Sequence, residues 1–165
     1  MTVLPPGYQI RRTEPGDYLG VIETLKVLTT VGNVSEEDFV NTLAYWNSVK
    51  IRLPVRKGQE GGGKEINVYN PLVITDPTGR VVATGNIIIE AKLIHECGLV
   101  GHIEDIAVAA DQQGKKLGQL LILHLTEIGR RAGCYKIILD CDPKNGEFYK
   151  KCGYSQAAVE MQIRF

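Results

Sequence analysis

Residues 101–119 read GHIEDIAVAADQQGKKLGQ, and this stretch narrows the possible folds further than any other. Its first part has the apolar, β-branched character of a strand, interrupted by two adjacent carboxylates, Glu104 and Asp105. A short polar turn follows. Then a basic loop, bracketed by Gly114 and Gly118, opens into an apolar-periodic helix. Strand, glycine loop and helix start in this order bring backbone N–H groups together at a helix N-terminus, which suits an anion. Strict alternation would turn Glu104 and Asp105 to opposite faces. Flanked by Ile103 and Ile106, at least one must face a covered or ligand-filled side, unless a bulge re-aims it.

The chain has 165 residues, the size of one domain with a sizeable core, so 1–165 is read as a single unit. Lys plus Arg and Asp plus Glu both number 19, so an anion site must be local; neither nucleic acid nor an anionic membrane is expected as a partner. No apolar run approaches the roughly 20 residues of a membrane span. The start, MTVLPPGYQIRR, lacks the apolar centre of a signal peptide. Cys97, Cys134, Cys141 and Cys152 form no CxxC pair, and His95, His102 and His124 are not at ligand spacing. The expectation is an intracellular protein with reduced, mostly buried thiols and no metal.

Around the opening segment the chain alternates strand and helix patterns. Residues 8–12 read as a first strand. Asp17 then stands where it can cap a helix with Leu19, Val21, Ile22, Leu25 and Leu28 as its apolar stripe. Ser35 followed by Glu36, Glu37 and Asp38 starts a second helix, with Phe39, Leu43, Trp46 and Val49 as its stripe. Residues 52–65 carry three consecutive glycines without a strand entering or a helix leaving, so they read as a flexible surface loop rather than a phosphate cradle. Residues 69–75 and 81–90, joined by Asp76-Pro77-Thr78-Gly79, read as a hairpin, and 99–109 continues it as a meander. A helix from the glycine loop to Arg130 and Arg131 follows. After it come a buried strand over 135–141, a short helix over 143–152 closed by Gly153, and a final alternating strand, VEMQIRF, over 159–165. The fold expected is a mixed α/β domain: a central mixed sheet, antiparallel in its first half with a right-handed parallel crossover at the end, flanked by about four helices.

The glycine loop alone lacks both the GK[ST] of a P-loop and GxGxxG. Its context carries more. Gln113-Gly114-Lys115-Lys116-Leu117-Gly118 after a strand, with Asn145-Gly146-Glu147-Phe148-Tyr149 and Gly153-Tyr154 later, resembles the GNAT superfamily of acetyl-CoA-dependent N-acetyltransferases. One departure is Lys116, which stands where a glycine is usual. The blocks TLKVLTTVG (24–32), ATGNIIIE (83–90), GHIEDIAV (101–108), CYKIILDC (134–141) and the terminal EMQIRF are similar to the eukaryotic glucosamine-6-phosphate N-acetyltransferase family. That resemblance covers nearly the whole chain outside 52–65.

The resemblance implies a GNAT-like acyl-CoA N-acyltransferase fold with acetyl-CoA as co-substrate. It also implies a cytoplasmic homodimer with shared active sites, in the pathway to UDP-N-acetylglucosamine. The C2 amine of glucosamine 6-phosphate would attack the thioester directly, and no cysteine sits in a recognisable nucleophile setting. For acetyl-CoA the matching positions are Ile106, Ala107 and Val108, then Gln113, Gly114, Lys115, Lys116, Leu117, Gly118 and Gln119, and finally Asn145, Phe148 and Tyr149. Tyr149, a phenol protonated at neutral pH, matches the general acid for the departing thiolate. Glu104 and Asp105 match acceptor-binding positions, with Glu104 able to accept the amine's proton, and Asp140 matches a residue acting through its main-chain carbonyl. Thr29, Lys92, Leu93, Ile94, His95, Tyr135, Lys136 and Arg164 match the remaining sugar-phosphate positions, some supplied by a second subunit. Two rivals stand beside this reading: a GNAT enzyme acetylating a protein N-terminus or lysine, and a catalytically silent acyl-CoA-binding module.

Overall fold

The turn Asp76-Pro77-Thr78-Gly79 is held by its first residue, whose carboxylate accepts from the Thr78 N–H at 2.9 Å and its hydroxyl at 2.6 Å. It joins β4 (Leu72–Thr75) to β5 (Val81–Ala91). This hairpin is the middle of a five-stranded sheet in a computed structural model that describes residues 3–53, 63 and 65–165. β1 (Gln9–Arg12) pairs antiparallel with β4, and β6 (Leu99–Val108) pairs antiparallel with β5. β7 (Cys134–Ile138) lies parallel to β6, so the order is β1-β4-β5-β6-β7. The expected mixed sheet forms.

Helices cover both faces. α4 (Leu117–Ala132) buries Leu121 and Leu125 against Ile74, Ile87 and Ile89. On the other face α1 (Tyr18–Leu25) and α2 (Glu36–Ser48) bring Val21, Phe39 and Leu43 onto Val73 and Val81. A strand covered on both sides is apolar throughout, which is why β4 reads LVIT. The carboxyl end of β6 leads directly to the start of α4, and α5 (Gly146–Lys151) packs beside that start.

α2 begins as its sequence suggests. Ser35 Oγ accepts from the Asp38 N–H at 3.0 Å, while the Asp38 carboxylate accepts from the Ser35 N–H. α1 does not. The Asp17 side chain makes no cap bond; its two oxygens accept from Arg11 at 2.6 and 2.8 Å, and one also accepts from the Glu14 N–H at 2.8 Å. A bidentate charged pair outcompetes one bond to a helix N–H. The helix also ends at Leu25, leaving Leu19 and Leu28 exposed, because only its Val21 and Thr24 side meets the sheet. Val49 likewise falls beyond α2 in extended backbone.

Four further expectations change. Arg52 and Glu65, the ends of the expected loop, belong to a small ribbon of β2 (Lys50–Arg52) and β3 (Glu65–Asn67), where they face each other; 54–62 and 64 lie outside the described residues. β7 stops at Ile138 and is largely exposed rather than buried, because it is the outer strand and only β6 flanks it among the described residues. Residues 159–165 form no strand: Val159, Met161, Ile163 and Phe165 are all exposed. Alternation alone cannot make a strand that has no neighbour to pair with. All four thiols are free, but only Cys152 is buried.

The Arg11–Asp17 pair ties β1 to α1, and it is testable. Burial alone would raise the Asp17 carboxyl, but the bonds from Arg11 and the Glu14 N–H outweigh it and hold it below its ordinary value. A depressed native value gives stability that is present above about pH 3.9 and lost as pH falls through the native value. Asp17→Asn should therefore cost roughly 2 kcal/mol at pH 7 in urea melts and flatten the acid limb of the stability curve. An unchanged acid limb would remove the pair from this role.

Candidate active site

β6 and β7 pair from Leu99 opposite Cys134 to His102 opposite Ile138, and there β7 ends. β6 continues to Val108 with no strand on that side among the described residues. A crevice therefore opens at the carboxyl end of the parallel pair, the position at which open α/β sheets bind ligands. The start of α4 and α5 close its far wall. Gln119 Nε2 donates to the Lys151 carbonyl at 3.2 Å, and a Cβ on Gly118 would lie 3.3 Å from Phe148 and 3.4 Å from Val108.

Within the crevice β6 is bulged. Glu104 faces Asn86 and Ala107 faces Thr84, so Asp105 and Ile106 together stand opposite Gly85 alone. Asp105 takes a left-handed conformation, φ 55°. The carboxylates are thus re-aimed by a bulge, the alternative their adjacency required: Glu104 is half-buried and Asp105 exposed. Gly85 permits this, because a Cβ there would come within 2.4 Å of Ile106 Cδ1. The Ala109 N–H donates to the Val82 carbonyl at 2.9 Å. Alternation along the strand then aims the Val108 and Ile106 N–H groups the other way, into the crevice. Two such donors can stabilise an oxyanion.

The glycine loop completes the crevice. Gly114 (φ 82°) and Lys116 (φ 60°) are both left-handed, and Lys116 precedes α4 without a side-chain cap. The first N–H groups of this long helix are left for an anion. A left-handed non-glycine residue costs about 1–2 kcal/mol, so the conformation explains why glycine is usual where Lys116 stands. Lys115 is turned elsewhere: its ammonium donates to Tyr8 Oη at 2.9 Å and Gln112 Oε1 at 2.7 Å. The side chains of Ala107 and Leu117 are buried, so these two can meet a ligand only through backbone. Asn145 sits at the head of α5 with its N–H bonded to the Asp142 carbonyl at 2.8 Å.

Two groups here have shifted acidity. Burial pushes Glu104 up, and repulsion from Asp105, Asp140 and Glu160 adds to it against an opposing His102. A raised carboxyl is a better proton acceptor near neutral pH. Burial also pushes Tyr149 up, helped by Cys141, Cys152 and Tyr154, so its phenol keeps its proton at pH 7. Phe148 meets Tyr149 edge-on at 5.0 Å between ring centres.

The other expected residues lie elsewhere. Lys92, Leu93, Ile94 and His95 form the turn before β6, where α3 (Ile94–Cys97) is a single turn with His95 and Glu96 left-handed. His95 packs on Tyr135 at 4.1 Å, Lys136 lies 5.9 Å from the same ring, and Glu90 holds Lys92 at 2.6 Å and His102 at 2.8 Å. The Lys92–His95 turn lies at the Leu99 end of β6, whereas Asp105 is roughly 20 Å along the strand at about 3.3 Å per residue. Thr29 is exposed beyond α1, and Arg164 lies on the exposed tail, bonded to Gln162. Residues absent from the sequence reading are Gly85, for which a glycine inside a strand pattern was the available signal, and the Tyr8–Gln112 bond at 2.6 Å, which spans 104 positions and leaves no local trace.

Comparison with known proteins gives a consistent result. The acetyltransferase (GNAT) family pattern matches residues 56–154. The chain is 50% identical to glucosamine 6-phosphate N-acetyltransferase of Candida albicans over 164 residues, 99% of each chain. It is 33% identical to the Arabidopsis thaliana enzyme of that name, over 96% of this chain and 97% of the other. The crystal structure of glucosamine-6-phosphate N-acetyltransferase from Arabidopsis thaliana superposes with a TM-score of 0.83 at 35% identity, covering 96% of this chain and 98% of that one.

Gly85→Ala should press on Ile106, Leu121 and Leu125, costing about 1–3 kcal/mol in stability and lowering turnover far more than the melt accounts for. Equal turnover at a temperature where both proteins are folded would count against the bulge. Asp140→Asn removes a negative neighbour of Glu104 and so lowers its pKa, making it the stronger acid. The acid limb of the kcat/KM–pH profile should move to lower pH; a limb that stays, or moves up, would deny Glu104 the base role.

Proposed function

This chain belongs to the acetyltransferase (GNAT) family, and from that premise we propose that it transfers acetyl from acetyl-CoA to the C2 amine of D-glucosamine 6-phosphate. The products are N-acetyl-D-glucosamine 6-phosphate and CoA. The observation that carries this is the joining of two sites on one strand: a carboxylate pair at the β6 bulge, followed at once by crevice-facing N–H groups and a glycine loop. The close relatives named for this reaction support it.

The chemistry follows from the residues. Glu104 takes the proton of the attacking amine, directly or through one water, while Asp105 and the main-chain carbonyl of Asp140 orient that amine. The N–H groups of Ile106 and Val108 stabilise the negative charge that grows on the acetyl oxygen as the C–N bond forms. As the C–S bond breaks, Tyr149 gives its proton to the sulfur. The loop from Gln113 to Gln119 holds the pyrophosphate at the start of α4, with Asn145 and Phe148 lining the pantetheine side.

The working unit is a homodimer with shared sites. In support, the Lys92–His95 turn lies at the far end of β6 from Asp105, so a second copy brings that turn, with Tyr135, Lys136 and Arg164, to the sugar phosphate. The tail 159–165 exposes alternate apolar side chains, and the outer strand β7 is open on one edge among the described residues. The cytoplasm and UDP-N-acetylglucosamine synthesis are the setting this reaction implies.

Thiol release from acetyl-CoA should depend on glucosamine 6-phosphate, be much weaker with glucosamine, and be absent with a peptide. Release with the peptide alone would sink the sugar assignment, and binding without release from any acceptor would mean a silent module. Deleting residues 159–165 should leave a monomer by light scattering with turnover reduced at least about 100-fold, as lost charge-assisted phosphate contacts require. A fully active monomer would contradict the shared site.

A further inference from the structure

On the face of the sheet away from α4, a cavity of ≈ 240 Å³ lies between α1, α2 and the bulged region of β5 and β6. Its walls are mostly apolar, with Val21, Phe39, Leu43 and Trp46 among them. Asp105 lines it as well, and is the only charged residue among the described residues that do so. Thr13 is a second polar feature: it lines the cavity, is 6% exposed, and its Oγ1 is buried with no hydrogen-bond partner among the described residues. A buried hydroxyl without a partner is unfavourable and uncommon in native structures.

These features specify a ligand. An apolar cavity of roughly 150 Å³ takes one benzene ring, so this one accommodates a ring with a short arm. A lone carboxylate at an otherwise uncharged cavity favours a cation over a neutral or anionic group. An ammonium has three N–H donors, enough to serve the carboxylate and an acceptor oxygen together. We propose that the cavity binds a small arylalkyl primary amine as its ammonium. The ring lies among Val21, Phe39, Leu43 and Trp46, and the ammonium donates to the Asp105 carboxylate and to Thr13 Oγ1. Such a ligand is unlike a sugar phosphate, which carries no apolar ring and a charge of the opposite sign.

Trp46 is the chain's only tryptophan, so its emission reports on the cavity directly. The full chain, without acetyl-CoA or sugar phosphate, is titrated at pH 7 with 2-phenylethylamine, 2-phenylethanol and phenylacetate. Trp46 emission and backbone amide shifts are followed together. The amine should give a saturable emission change, shift the amides of Thr13 and Asp105, and bind at least about tenfold more tightly than the alcohol, with phenylacetate weakest; that factor is what one charge-assisted bond supplies. Thr13→Val, a near-isosteric change, should weaken the amine about threefold or more while raising the melting temperature of the unliganded protein. Asp105→Asn should bring the amine and the alcohol to similar affinity. No saturable change with the amine, equal binding of amine and alcohol by the unmodified protein, or shifts that miss both Thr13 and Asp105 would overturn the proposal.

Discussion

The separation of β6 from β7 is the constraint on which the site depends. While the two strands pair, their backbone groups satisfy each other and nothing else can bind there. Once β7 ends at Ile138, β6 runs on with one edge open, and a ligand can take the place of the absent strand. The bulge opposite Gly85 acts on the same few residues, turning Asp105 out and setting which N–H groups of 106–108 face the opening. The chain immediately beyond must then turn back into α4, so the positive end of that helix arrives at the same crevice. The carboxylates proposed for the acceptor, the amides proposed for the acyl group and the glycine loop proposed for the pyrophosphate are consecutive because one strand leads through all three.

Much of this was legible in the sequence because it is local. Ser35 and Asp38 form their capping box within four residues, the turn after Thr75 is held by Asp76, and the stripe of α4 follows its own period. The carboxylate pair at 104 and 105 already required a bulge or a covered face. What was not legible depends on partners distant in the chain. Asp17 abandons its cap for Arg11, which is on a different element. Lys115 looked like a phosphate ligand beside Lys116, yet Tyr8, over a hundred positions away, takes its ammonium. The tail 159–165 carries a strand's alternation, but a strand is defined by its neighbour, and the described residues pair none with it.

Electrostatics and geometry divide the site in the same way. Glu104 is pushed up by burial and by three acidic neighbours, including Glu160 from the C-terminal segment, which suits the base role proposed for it. Tyr149, on α5, is pushed up by burial and so holds its proton, as the proposed acid must. A carboxylate whose pKa is raised, together with a phenol held protonated, is the pairing an amine attacking a thioester needs. The Lys92–His95 turn lies at the other end of β6, beside Leu99.

The central claim is that the open edge of β6 receives the acyl donor. Residue-resolved amide hydrogen exchange with and without acetyl-CoA tests it most directly. The account predicts rapid exchange at Ile106 and Val108 in the unliganded protein, strong protection of both on adding acetyl-CoA, and parallel protection at Gly114 to Gly118. Protection of the glycine loop without any change at Ile106 and Val108 would contradict it.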